Sequence, residues 1–175
     1  MEQHDYSPRR LVFIGLLSWL SMLGVDFFLH GGLLAKLYIQ PSPFLLPPSD
    51  AFRLIPLGYL SFLLLNVLLL WLMVRLGLSG WRQGFSFGLR LGALIWGAVV
   101  LGLLSISTAE LSLLVGWFVG QSVEMGIAGS IAGSGLAAKR LRTIFVSVVA
   151  LILFLVVVTI AMQNMGLAPV VQSGA

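Results

Sequence analysis

Long runs of apolar residues, separated by short polar segments, follow one another along the whole sequence. Each run has more than 20 residues, and an α-helix needs about 20 residues to cross a hydrocarbon layer about 30 Å thick. Because lipid offers no partner to a backbone polar group, each run is predicted to be α-helical. The pattern therefore predicts five spans, with the approximate bounds 11–37, 54–76, 85–106, 111–136 and 144–165.

The composition agrees with this pattern. Of the 175 residues, 59% are hydrophobic and only 9% are charged, and the mean hydropathy is +1.06. Soluble globular proteins have about 25% charged residues, so a soluble fold is excluded. We predict an all-α, polytopic transmembrane helix bundle with a tail at 1–10, a membrane domain at 11–166 and a second tail at 167–175.

The basic residues indicate an orientation. Eight of the ten fall on one side of the predicted membrane, and only Lys36 and Arg53 fall on the other. The excess of positive charge on the cytoplasmic side of membrane proteins predicts a cytoplasmic N-terminus and an outer C-terminus. Although the net charge is +4, these residues lie at the ends of apolar runs and form no basic stripe, so nucleic acid is not an expected partner.

Small residues recur at helical spacing in the third and fourth spans. Such stripes let two helix backbones approach closely, which favours association in lipid. We expect these two spans to form a tight pair, and homodimerisation through the same faces is the alternative. The stripes consist of Gly84, Gly88, Gly92 and Gly102 on the third span and Ser122, Gly126, Gly129 and Gly133 on the fourth.

Three polar side chains lie far inside the predicted spans. Asp26 is ten residues before Lys36, which places it about 15 Å below the outer boundary at 1.5 Å per residue. Counted in the same way from Arg53 and from Glu110, Asn66 and Glu124 have a similar depth. Charged groups at that depth face the interior of a bundle and find partners there.

Neighbours on the same helix faces extend this group. Asp26 and His30 are one helical turn apart, and Gln121 and Glu124 share a face of the fourth span. We therefore predict one buried cluster that contains Asp26, His30, Asn66, Gln121 and Glu124. Such a cluster can hold spans 1, 2 and 4 together by hydrogen bonds, or it can carry protons or bind a cation.

Cofactor chemistry has little support in the sequence. The chain has no cysteine and only one histidine, His30, inside a predicted span, so a bis-histidine haem site within one chain is excluded. Asp26, His30 and Glu124 have a conceivable ligand count for a metal. We nevertheless predict no metal and no cofactor.

The first outer loop and the last span have their own patterns. Five prolines in residues 38–56 deny that segment regular hydrogen bonding, so it is expected to be an interfacial connector or a lid over the helix ends. Asp50 is a candidate N-cap for the second span. The last span is apolar nearly all round and is expected to be peripheral and lipid-facing.

Two stretches carry a resemblance. The segments VDFFLHGGLLAKLY and GWFVGQSVEMGIAG resemble motifs of small bacterial four-helix membrane proteins of unknown function. On that resemblance Asp26, His30, Gly31 and Glu124 match the family pattern, spans 1 to 4 are covered, and the fifth span is an addition. The resemblance implies the inner membrane of a bacterium, and it implies architecture more than activity.

Three functional classes are compatible with these features. The first is a non-enzymatic membrane protein, an accessory subunit of a larger assembly, whose polar cluster sets helix packing. The second is a small proton- or ion-coupled transporter or channel, working as an oligomer through Asp26, His30 and Glu124. The third, an intramembrane enzyme, requires a substrate pocket under the proline-rich loop. The expected partners are the lipid bilayer and either another membrane protein or further copies of the chain.

Overall fold

The computed structural model describes residues 6–40 and 42–169, and these residues form an all-helical bundle without strands. Five of its helical stretches are long and apolar enough to cross a membrane, which confirms the predicted fold class. The helices are α1 (Pro8–Phe28), α2 (Ala35–Tyr38), α3 (Pro48–Arg75), α4 (Trp81–Ile106), α5 (Leu111–Ala137) and α6 (Arg142–Asn164).

Several helix bounds differ from the sequence prediction. α1 begins at Pro8, because proline has no N–H to lose in the first turn of a helix. α3 begins six residues before the predicted start at residue 54. Asp50 therefore lies in the first turn of α3, whose N-cap is Pro47, so Asp50 is not the N-cap residue.

The first span is not one continuous α-helix. At Phe28 it changes into a π-helix, Leu29–Leu33, and the chain then resumes as the short helix α2. The N–H of Leu34 donates to the carbonyl of Leu29 at 2.7 Å, which closes the wide turn. Gly31 and Gly32, residues of low helix propensity, lie in this turn. Wide turns of this kind are frequent at functional sites.

α4 and α5 form the tight pair that their small residues predict. A Cβ added to Gly84 would lie 2.0 Å from the carbonyl oxygen of Gly129, and one added to Gly88 would lie 2.2 Å from that of Met125. The N–H of Gly80 even donates to the carbonyl of Gly133 across the two helices, at 2.8 Å. No side chain fits between backbones this close, so glycine is required at these positions.

The rest of both stripes, with one exception, lies in the same contact. Gly92 faces the Cα of Ser122, Gly126 packs against the ring of Phe85, and Gly133 approaches the carbonyl of Gly80. Gly102 is the exception, because a Cβ there would meet nothing within 4 Å in the described chain. Its assignment to the interface is wrong, since near Gly97 the ring of Phe118 already occupies the space between the helices.

α1 is the helix that joins the others. It runs antiparallel to α5, with Ile14 against Gly135, Ser18 bonded to Ala128 and Leu29 against Gly120. It runs parallel to α6, and a Cβ added to Gly24 would lie 2.9 Å from the side chain of Ile152.

α6 exposes apolar side chains such as Phe154 and Val157 but buries Val148 and Thr159, so it is both lipid-facing and docked on α1.

Candidate functional site

The Asp26 carboxylate is the centre of a small polar group on α1. Its Oδ1 lies 2.7 Å from Nδ1 of His30, one turn later, and 3.5 Å from Nε2 of Gln121 on α5. Because Nδ1 also lies 3.0 Å from the backbone oxygen of Asp26, it is the nitrogen that carries a hydrogen. The side chains of His30 and Asp26 are 30% and 13% exposed, so the histidine is the outer member of the pair.

Glu124 lies deeper in the same seam between α1 and α5. The contacts of Ser18 with Ala128 and of Asp26 with Gln121 bracket its position along the helices. It has no exposed surface, and neither carboxyl oxygen has a hydrogen-bond partner in the described part of the chain. Met22 and Met125, both 1% exposed, add apolar surface to this region. A wholly buried carboxyl group without a partner is unusual in a folded protein.

Asn66 does not belong to this group, although the sequence places it there. Its Nδ2 donates to the carbonyl of Gly15, at 2.8 Å, and Gly15 is eleven residues from Asp26, or about 16 Å along the helix axis. The predicted depth is wrong because it was counted from Arg53, and Arg53 lies inside α3 instead of at its start. Of the five predicted members, hydrogen bonds and ion pairs link Asp26, His30 and Gln121, and Glu124 lies one turn further along α5.

An aromatic group that the sequence does not predict lies at the end of the seam beyond His30. The ring of Tyr38 is 5.0 Å from that of His30, and the Tyr38 hydroxyl accepts a hydrogen bond from the indole of Trp117. Burial raises the pKa of the Tyr38 phenol, and the nearby Asp26 charge adds to the effect, against the opposing influence of the Trp117 hydrogen bond. Tyr38 follows His30 by eight residues, or about 12 Å along a regular α-helix, so helical spacing in the sequence does not suggest their contact.

The proline-rich segment folds over this end of the bundle. The ring of Phe44 lies 6.1 Å from that of Trp117. Two adjoining clefts, of about 160 and 290 Å³, share Gln40, Ser42 and Leu45 on their walls, and Glu110 lines the smaller one. Pockets for small-molecule ligands usually have about 300–1,000 Å³, so each cleft is smaller than a typical substrate pocket.

The half of the same seam that is nearer Ile14 is closed largely by apolar packing. The hydroxyls of Ser18 and Ser21 donate to the backbone carbonyls of Ala128 and Ser18. Beyond them Ile14, which is fully buried, fills the space that Gly135 leaves. At the end of the seam the Arg10 guanidinium donates to the carbonyls of Gly135 and Ala138, which satisfies groups that a helix C-terminus leaves free.

This arrangement can bind protons but is poorly suited to a metal ion. Within residues 6–40 and 42–169, no three His, Cys, Asp or Glu side chains are close enough together to hold one. What the seam does offer is a partly exposed imidazole, a carboxylate hydrogen-bonded to it, and a second carboxyl group in a dry interior. Carboxyl groups and imidazoles inside membranes are typical of proton relays.

Comparison with known proteins adds no assignment. The chain matches no family model, no curated protein and no solved structure, so the resemblance to small bacterial four-helix membrane proteins stays a prediction.

Proposed function

We propose that this protein binds and transfers protons through the seam between α1 and α5, with Glu124 as the inner proton-binding group. One observation carries the proposal: Glu124 is completely buried, and neither of its carboxyl oxygens has a partner in the described chain. A charge at the centre of a bilayer costs at least about 2.5 to 3.5 kcal/mol, and a bound proton removes that charge.

The route to Glu124 runs from the outer end of the bundle. His30 is the partly exposed group, and it contacts Asp26, which in turn contacts Gln121 one turn from Glu124. A proton from the outer aqueous phase is taken up by the His30–Asp26 pair and passed to Glu124 directly or through water. The contact of Ile14 with Gly135 closes the opposite half, so transfer across the membrane requires a second conformation in which that contact opens.

Several hydrogen bonds between neutral groups join the helices, and they support a separate role for Glu124. Asn66 and Trp19 connect α1 and α3 through backbone carbonyls, and Ser18 connects α1 and α5 in the same way. These neutral groups hold the helices together without a charged partner. Glu124 takes no part in hydrogen bonds of this kind in the described chain, which leaves its carboxyl group available for proton binding.

A second candidate is the non-enzymatic accessory subunit, in which the polar side chains serve helix packing alone. The contact of Gln121 with Asp26 favours it, because this pair also joins two helices. The two candidates differ in what a neutral amide at position 124 would do. An amide preserves packing but cannot exchange a proton.

We also propose that the protein lies in the cytoplasmic membrane of a bacterium, with its N-terminus in the cytoplasm. This orientation puts His30 and the proline-rich segment on the outer side. Most basic residues of the chain lie at the other end of the helices. This supports the orientation, because basic residues are in excess on the cytoplasmic face of membrane proteins.

Proton flux into proteoliposomes tests the proposal. Purified protein is reconstituted with a trapped pH-sensitive dye, and a potassium diffusion potential drives proton entry. We expect flux for the wild type and its loss for Glu124→Gln and Asp26→Asn, while Glu110→Gln, which changes an exposed carboxylate outside the seam, leaves it unchanged.

A second measurement reads proton binding without transport. Infrared difference spectroscopy across a pH step detects the C=O stretch of a protonated carboxylic acid, and this band should be missing from Glu124→Gln. Equal flux in the wild type and Glu124→Gln, together with equal infrared spectra, would refute proton binding and favour the accessory subunit.

A further inference from the structure

Arg90 is a charged side chain on the lipid-facing surface of α4. It is exposed, and it lies nine residues after Trp81, the first residue of the helix, or about 13 Å along its axis. No hydrogen bond or ion pair to the described residues engages its guanidinium. An arginine side chain in hydrocarbon is energetically unfavourable unless its charge reaches water or an anion.

The described acidic residues cannot supply that anion. Asp26 and Glu124 are buried in the seam between α1 and α5. Asp50 and Glu110 lie at the starts of α3 and α5, which is the end of the bundle opposite to the start of α4. The same four groups in the described part of a second copy would be just as buried or as distant, so an anion from another kind of molecule is the better match to the charge of Arg90.

Polar residues connect Arg90 to the start of the helix. At 100° per residue, Gln83, Ser86 and Arg90 fall within an arc of about 60° on one face of α4. The Gln83 side-chain oxygen already accepts a hydrogen bond from the N–H of Ser79, at 3.3 Å, which leaves its amide N–H groups as donors. The face therefore offers a guanidinium, a hydroxyl and an amide to an acceptor.

Two further arginines lie at the same end of the bundle as the start of α4. Arg82 and Arg75 are both exposed, and the Arg82 guanidinium lies 5.1 Å above the ring of Trp81. Tryptophan is enriched at membrane interfaces, so Trp81 marks the level of the headgroups. Positive charge is thus concentrated at the depth of lipid phosphates.

We propose that Gln83, Ser86 and Arg90, together with Arg82 and Arg75 at the end of the bundle where α4 begins, bind the headgroup of an anionic phospholipid. The direction of the side chain favours a lipid over a partner helix that would present an acid deep in the membrane. Side chains of an α-helix lean toward its N-terminus, and the N-terminus of α4 is the end at which Arg82 and Trp81 lie. Arg90 accordingly extends along Ser86 toward the headgroups while its methylene groups stay in hydrocarbon.

Native mass spectrometry of the purified protein in mild detergent tests this site. The protein is titrated with short-chain phosphatidylglycerol, with the matching phosphatidylcholine, and with inorganic phosphate. We expect preferential binding of phosphatidylglycerol. One arginine near a membrane surface contributes about 1 kcal/mol to the attraction of anionic lipid, so Arg90→Gln should weaken that binding about fivefold.

Two variants serve as controls. Arg53→Gln removes an equally exposed arginine at the other end of the bundle and should leave phosphatidylglycerol binding unchanged. Arg90→Lys keeps the charge and should retain most of the affinity. Size-exclusion profiles and thermal unfolding confirm that each variant is folded.

Three results would overturn the proposal. Equal binding of phosphatidylglycerol and phosphatidylcholine would remove the anionic selectivity. Saturation by inorganic phosphate alone, at the same concentration as the lipid, would identify a free-anion site. Loss of a co-purifying membrane protein from Arg90→Gln, without any change in lipid binding, would assign the face to a protein partner.

Discussion

Asn66 donates a hydrogen bond to the carbonyl oxygen of Gly15, with 2.8 Å between Nδ2 and O, and so joins α3 to α1 far from the Asp26 carboxylate. The polar groups inside this bundle therefore form two separate sets. One set holds helices together through neutral donors and backbone acceptors. The other set, Asp26, His30, Gln121 and Glu124, surrounds the seam between α1 and α5.

Replacement of Asn66 should reduce stability without affecting proton transfer. Asn66→Leu removes the bond to Gly15, and interhelical hydrogen bonds in membranes contribute about 0.6 kcal/mol on average and up to about 1.7. We expect a loss of this size in the free energy of unfolding in detergent, with proton flux unchanged. Ser61→Ala is the matched control, because the Ser61 hydroxyl bonds only to Gly58 of the same helix. A loss of proton flux in Asn66→Leu would contradict the separation of the two sets of polar groups.

The packing of α4 on α5 could be derived from sequence, but the position of Asn66 could not. Glycines spaced along two helices carry their own register, since each close approach needs a small residue on both sides. The depth of a residue in the membrane has no such marker in the sequence. A charged residue is a poor reference for the end of a helix, since Arg53 lies five residues inside α3. The contact of Tyr38 with Trp117 joins residues 79 positions apart, and nothing local to either residue encodes it.

The glycine contact between α4 and α5 should not tolerate a methyl group. A Cβ at position 84 would lie 2.0 Å from the carbonyl oxygen of Gly129, so the backbones must separate to admit it. Overpacking costs about 1–3 kcal/mol and occasionally more. We expect Gly84→Ala to lower the free energy of unfolding by at least that amount and to reduce the yield of folded protein.

Gly102→Ala is the control for this prediction, because it adds the same methyl group on the same helix in open space. Its effect should stay within about 0.5 kcal/mol. Unfolding of both variants is followed by steric trapping in detergent. Equal destabilisation by the two substitutions would contradict the prediction, because helix propensity favours alanine over glycine and cannot account for a loss of stability at either position.

Alkaline pH should loosen the outer end of the bundle through Tyr38. Burial raises the pKa of this phenol in the folded protein above the ordinary value of about 10. Its neutral form therefore stabilises the folded state fully below about pH 10, and that contribution is lost as the pH rises further. The ultraviolet difference titration between the wild type and Tyr38→Phe isolates this group. Tyrosinate formation near pH 10 in the folded protein would contradict the prediction.

Access to the seam should be limited to its outer half, and thiol labelling can map it because the chain has no cysteine of its own. His30→Cys places a thiol where the native side chain is 30% exposed, whereas Ser18→Cys places one at a fully buried position beyond Glu124. We expect a membrane-impermeant methanethiosulfonate to label the first from the outer side and the second from neither side.

Thr108→Cys and Lys139→Cys provide the references for sidedness, since both positions are exposed and lie at opposite ends of the helices. In right-side-out vesicles Thr108→Cys should react and Lys139→Cys should not, and the reverse result would invert the proposed orientation. Labelling of Ser18→Cys from the side of Lys139 would show that the contact of Ile14 with Gly135 does not close the inner half. In that case protons could reach Glu124 without passing His30, and the route proposed here would be wrong.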